Sequence, residues 1–252
     1  MKKITVLLAL VLCAAALLCV AQADPVMVSL SDSLISSVSG ITVDGSVVTV
    51  QQPGEYIFTG SLSNGSIRVD CAVSGKVTLY LSGVSIHNEQ GPAIQIIKCD
   101  PRCTISLMEG TENALSSGES LVYEKDDEPN GVIFSRSDMT ITGEGSLTVT
   151  AAAMDGIVSK DDIRIKSGTV TVTAARHGIR GKDCVEISGG VITVTAGKDG
   201  IRSTNSKTSE LGYVSITGGE VTIACGSDPI SAVTGVTVEG GIVKATIHKT
   251  AE

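Results

Sequence analysis

The chain has 252 residues, a formal net charge of −8, 42% hydrophobic residues, 2% aromatics, 28 glycines and no tryptophan. That apolar fraction excludes intrinsic disorder, and the acidic balance argues against nonspecific nucleic-acid binding, which needs a basic footprint. A helical bundle is also disfavoured, because the Val, Ile and Thr that dominate the sequence are stiff at χ1 and suit strands.

Lys2 and Lys3, the apolar run from Ile4 to Val20, and Ala21-Gln22-Ala23 before Asp24 predict a cleaved secretory signal over residues 1–23. An uncleaved anchor is the alternative, although the run is short for a membrane span. The chain is therefore expected to be secreted or at the cell surface, with no membrane span in the mature part. Cys71, Cys99, Cys103, Cys184 and Cys225 remain after the signal. An odd count at irregular spacing is not a disulfide framework, although Cys99 and Cys103 could close a small extracellular loop. His87, His177 and His248 stand at no zinc-ligand spacing from a cysteine pair.

Residues 24–40 are Ser-rich and read as a cap or lead. From Ile41 onward short β segments follow: Tyr56–Thr59, Ile67–Asp70, Val77–Leu81, Ala93–Ile97 and Thr104–Leu107. The acidic stretch from Tyr123 to Asn130 reads as a loop. Then a repeat emerges: Asp155-Gly-Ile-Val-Ser-Lys-Asp-Asp162, His177-Gly-Ile-Arg-Gly-Lys-Asp-Cys184 and Asp199-Gly-Ile-Arg-Ser-Thr-Asn-Ser206, with starts 22 residues apart. A degenerate copy sits at Asp228-Pro-Ile230, after an insertion around Asn205 to Gly212. Each unit holds three short segments, too short to be stable alone. Stacked on their equivalents they form parallel ladders. This predicts an all-β parallel β-helix, one strand segment per face, with roughly 22 residues per coil and about eight coils within residues 41–252. A two-sheet sandwich would not explain the in-frame period. Ile157, Ile179, Ile201 and Ile230 are expected to point inward with Ser159, Gly181, Ser203 and Ala232; Val158, Arg180 and Arg202 are expected to point out.

Stacking turns columns of the repeat into surfaces. One column reads Ser137, Asp161, Asp183, Asn205; the next Asp138, Asp162, Cys184, Ser206; the position before the glycine reads Asp155, His177, Asp199, Asp228. Stacked carboxylates repel unless a cation lies between them, and hard oxygen ligands suit Ca²⁺. Equally, Asp and Asn in such positions cap turns by accepting backbone N–H bonds. Asp161, Asp162 and Asp183 form the leading cluster, and His177 reads as a turn residue. A basic column of Arg136, Lys160 and Lys182, flanked by Arg180 and Arg202, either neutralises these aspartates or holds the carboxylates of an acidic glycan. No nucleophile elbow or phosphate loop is present, and the few aromatics are scattered, which argues against a platform for stacking neutral sugars.

The Asp155–Asp162 and His177–Asp183 motifs, with Pro53-Gly-Glu-Tyr-Ile-Phe-Thr-Gly-Ser-Leu62, Gly91-Pro-Ala-Ile94 and Glu109-Gly-Thr-Glu-Asn113, resemble a family of secreted bacterial carbohydrate-binding right-handed β-helix proteins of polygalacturonate-binding type. The likeness covers roughly residues 41 to 247. It is similar in turn to the family 9 polysaccharide lyases, which set a catalytic lysine beside calcium-binding aspartates. The resemblance implies a right-handed helix, Ca²⁺ on stacked aspartates, and affinity for acidic, pectin-like polysaccharide. Asp161, Asp162 and Asp183 match its Lys-Asp-Asp and Lys-Asp motifs, and Asp155 and Asp199 its Asp-Gly-Ile positions. His177, Cys184 and Ser137 depart from it. The reading of the whole is a calcium-dependent, non-catalytic binder with Lys160, Lys182, Arg180 and Arg202 facing the glycan and Asp155, Asp161, Asp162, Asp183, Asp199 and Asn205 facing the metal. A β-eliminative lyase with Lys160 or Lys182 as base and a purely structural or adhesive β-helix are the alternatives.

Overall fold

A computed structural model describes residues 24–33, 38–120 and 128–248. The expected signal lies outside the described residues, as does the first part of the acidic loop. The described chain is all β, with one sheet of 15 strands and a second of 9; no helix among the described residues is long and apolar enough to cross a membrane.

The large sheet holds two ladders. In the first, Val77–Asn88, Cys103–Leu107, Met139–Gly143, Asp162–Ile165, Cys184–Ile187, Tyr213–Ile216 and Gly235–Val238 lie side by side. In the second, Val77–Asn88 is followed by Glu112–Ser117, Ser146–Ala151, Thr169–Ala174, Val191–Ala196, Glu220–Cys225 and Ile242–Ile247. The small sheet runs from the hairpin Ile41–Asp44 and Val47–Val50 through Ser66–Asp70, Ile94–Lys98, Gly131–Ser135, Asp155–Ser159, Ile179–Gly181 and Ile201–Ser203 to Ile230–Ser231. Only that hairpin is antiparallel among the described pairings. Within residues 24–40, Val26–Leu30 pairs in parallel with Gly54–Leu62.

Alternation decides what faces the core. Thr169–Ala174 buries Val170, Val172 and Ala174 and turns its threonines outward. Each buried side chain then sits on its counterpart one rung away: Val170 on Ile192, and Ile192 on Val221. Burying one such side chain stabilises by about 1.5–3 kcal/mol, so strands of three residues persist by repetition. The repeat register is as the sequence implies, Ile157 on Ile179 on Ile201 on Ile230. The bend between the two ladders falls on glycines such as Gly190, whose φ is +90° and whose missing Cβ would lie 2.6 Å from the Gly168 carbonyl oxygen.

Two expectations need correction. Val158 alternates outward but is 1% exposed, like its rung neighbour Phe134. The adjoining Asn130 and Glu128 bond outward side chains of this face, Arg180 and Lys160, which places them over it. The residue stacked on Cys184 is Tyr213, not Ser206, because the Asn205–Gly212 insertion loops out before the strand resumes.

Candidate functional site

The column that precedes the glycines is a continuous hydrogen-bond relay. Asp155 Oδ1 accepts the His177 N–H (3.1 Å), His177 Nδ1 accepts the Asp199 N–H (3.2 Å), and Asp199 Oδ1 accepts the Asp228 N–H (3.3 Å). Each side chain thus satisfies the backbone donor of the next rung, which is the turn-capping role. The carboxylates of this column are also met by arginines. Arg180 Nη2 lies 2.8 Å from Asp155 Oδ2, Arg176 Nε 3.6 Å from Asp155 Oδ1, and Arg202 Nη1 2.9 Å from Asp199 Oδ2. Asp155 is fully buried. Arg180 also donates to Asn130 Oδ1 (3.0 Å). Arg180 and Arg202 are therefore committed to the protein's own aspartates. Burial lowers the His177 pKa despite Asp155 and Asp199 beside it.

The corner between the small sheet and the first ladder carries the other predicted residues. Ser159 Oγ donates to the Ser137 carbonyl and accepts the Asp161 N–H, both at 3.0 Å. The Asp183 N–H donates to the Asp161 carbonyl at 3.2 Å, which stacks the two aspartates on adjacent rungs. Asn205 Nδ2 donates to Asp183 Oδ1 (2.6 Å), and its Oδ1 accepts the Lys207 N–H (2.8 Å). Burial and the charges of Asp183 and Asp138 push the Asp161 carboxyl upward, against a lowering contribution from Lys182. Lys160 bonds Glu128, which Arg136 approaches at 3.9 Å. Lys182 has no ion-pair partner among the described residues.

A third group draws Asp162 away from the predicted Asp161–Asp183 cluster and joins it to Arg164, Arg102 and Glu186, which were not singled out from the sequence. Arg164, facing out between Asp162 and Lys166, reaches three carboxylates: Glu186 (2.6 Å), Asp162 (2.7 Å) and Asp138 (3.4 Å). Arg102 meets Asp138 at 2.7 Å. The Cys184 thiol donates to Asp162 (3.1 Å) and the Tyr213 hydroxyl to Glu186 (2.6 Å). Burial first, then neighbouring carboxylates, raises Asp162 and Asp138; burial raises the Cys184 thiol and the Glu186 bond raises Tyr213. The outward alternation of Asp162 and Arg164 on one strand was the signal available.

These contacts bear on a calcium ion. Asp155, Asp199 and Asp162 already face guanidinium groups, and Asn205 presents its amide nitrogen to Asp183. The six residues do not fit a Ca²⁺ cage, which takes six to eight oxygens, and among the described residues no three of His, Cys, Asp and Glu converge on a metal position. Asp161 and Asp183 differ from the rest: among the described residues neither carboxylate forms an ion pair, although the Lys182 charge acts on Asp161. All five described cysteines are free and buried.

Comparison with known proteins agrees with this architecture. The structure of the polysaccharide lyase-like protein from C. thermocellum, a gadolinium derivative, superposes with a TM-score of 0.78 at 34% identity, covering 91% of this chain and 98% of that one. A carbohydrate-binding domain-containing protein from Acetivibrio thermocellus is 38% identical over 138 residues, 54% of this chain. The match spans 48% of that relative's length. The family model for carbohydrate-binding domain-containing proteins matches residues 44–252. The chain belongs to the carbohydrate-binding domain-containing protein family.

Proposed function

We propose that the chain is a non-catalytic binder of acidic, uronate-containing polysaccharide outside the cell, folded as a right-handed parallel β-helix of about eight coils. The observation that carries this reading is the corner where Asp161 and Asp183 stack on adjacent rungs beside Lys182, which forms no ion pair among the described residues. A uronate polymer presents carboxylates and hydroxyls at regular intervals. Lys182 would meet a sugar carboxylate directly, and Asp161 and Asp183 would be the residues to hold a Ca²⁺ ion, whose charge would offset the repulsion between these aspartates and the uronate carboxylates.

The lyase-like relative also raises β-elimination as a second reading. Of its two candidate bases, Lys160 has its Nζ committed to Glu128, which leaves Lys182. Depletion of the protein on immobilised polygalacturonate, with calcium and with chelator, tests the binding reading: calcium-enhanced retention supports it, and equal retention in both conditions removes the calcium part. Accumulation of unsaturated uronate absorbance would replace binding with lyase chemistry.

A further inference from the structure

The outward face of the first ladder carries features that the corner does not use. Across its rungs Thr78 stacks on Thr104, Thr104 on Thr140, and Tyr80 on Ser106 on Thr142. Of these, Thr104, Thr140 and Thr142 line the floor of a hollow of about 430 Å³ whose walls are Lys76, Pro101, Arg102 and Lys166. Lys166 also borders a second hollow, of about 260 Å³, with Ser188, Ser215 and Thr217. At the other end Lys76 and Thr78 border a third. Shared lining residues therefore make the depressions one shallow groove that crosses the strands along the direction of stacking.

Three observations point to a ligand there. Lys76 and Lys166 are exposed and have no ion-pair partner among the described residues, whereas Arg102 and Arg164 on the same face are held by carboxylates. The Thr78 hydroxyl is buried, the residue 3% exposed, and makes no hydrogen bond, although buried polar groups are nearly always satisfied. Arg102 Nε is likewise buried without a partner.

We propose that this groove is a second, metal-independent site for an extended uronate oligosaccharide, lying across the rungs with its carboxylates on Lys76 and Lys166 and its hydroxyls on Thr104, Thr140 and Thr142. The inference rests on the acidic-polysaccharide reading and adds a surface to it. Lys76 and Lys166 stand three rungs apart and four residues apart along the strands, a diagonal of about 20 Å at the usual strand spacings. An extended oligosaccharide of about four sugars, crossing the rungs obliquely, can therefore reach both. Threonine hydroxyls both donate and accept, as sugar hydroxyls require, and lysine supplies point charges to carboxylates.

The test is titration of the full chain with a defined oligogalacturonide in chelator, comparing the natural protein with a Lys76→Gln/Lys166→Gln variant and with Lys198→Gln, at an exposed lysine outside the groove. Both groove lysines are exposed, and unchanged circular dichroism confirms that the variant is folded. The expected result is chelator-resistant binding that falls with salt, weakens about tenfold or more in the groove variant, a loss of about 1.4 kcal/mol, and is retained in Lys198→Gln. Unchanged affinity in the groove variant would overturn the groove while leaving the acidic-polysaccharide reading intact. So would binding by the natural protein only when calcium is present. No binding with or without calcium would remove that reading, and the groove with it.

Discussion

His177 Nδ1 accepts the backbone N–H of Asp199 from the next rung, at 3.2 Å. In the rungs on either side an aspartate oxygen has that task. An imidazole can do it only while Nδ1 is unprotonated, and burial holds the His177 pKa below its usual value. The sign follows. The unfolded chain takes up a proton near pH 6.5 and the folded chain resists it, so the stability contribution is complete above that pH and is lost as the pH falls through it. Thermal unfolding followed from pH 8 to pH 5 should show a decline below about pH 6.5 that flattens in His177→Asn, whose side-chain oxygen can accept the same bond. An unchanged slope in the variant would place the titrating group elsewhere.

Gly178 closes the same turn from the other side. Its N–H donates to the Asp199 carbonyl at 3.0 Å, and a Cβ there would lie 2.2 Å from Val194 Cγ1 and 2.6 Å from the Gly200 carbonyl oxygen. Gly178→Ala should lower the unfolding free energy in urea by about 1–3 kcal/mol, the range for overpacking. A change below about 0.5 kcal/mol, the scale of ordinary surface substitutions, would mean that the rungs part easily.

Arg164 balances Asp162, Glu186 and Asp138 at one point. Asp162 and Asp138 are raised already with the guanidinium present, so their mutual repulsion exists above their pKa values and is relieved as they protonate. Arg164→Ala should therefore cost about 1–3 kcal/mol at pH 7, the scale for stranding a partly buried charged partner, and less at pH 4. A cost independent of pH would show that packing of the side chain, rather than charge, is what matters.

Asp161→Asn and Asp183→Asn should each abolish the calcium increment of polygalacturonate retention without unfolding the chain. The Asp161 carboxyl is pushed upward by burial and Asp183, and protons compete with calcium for it. The increment should accordingly fade on acidification at a higher pH than an ordinary aspartate would require. Persistence of the full increment in both variants would place any shared ion elsewhere.

The repeat was readable because backbone register and burial follow directly from a fixed period: Ile157, Ile179 and Ile201 stack as their spacing requires. Side-chain partnerships were less readable, since they depend on what each insertion does to the rung above it. The Asn205–Gly212 insertion puts Tyr213 beside Cys184 and its hydroxyl on Glu186, a contact 27 residues apart that no 22-residue frame contains. Alternation identified Val158 as outward but could not register that Glu128 and Asn130 lie over that face. The choice between capping and metal binding for Asp155 and Asp199 was open in sequence because both roles need an oxygen at the same place; the arginines that settle their surroundings come from three positions, Arg176, Arg180 and Arg202.

The most direct test of acidic-polysaccharide recognition is retention of the full chain on immobilised polygalacturonate set against a neutral glucan, at low and high salt. The account expects retention on polygalacturonate alone, strengthened by calcium and weakened by salt. Equal retention on the neutral glucan, or none on either, would contradict it.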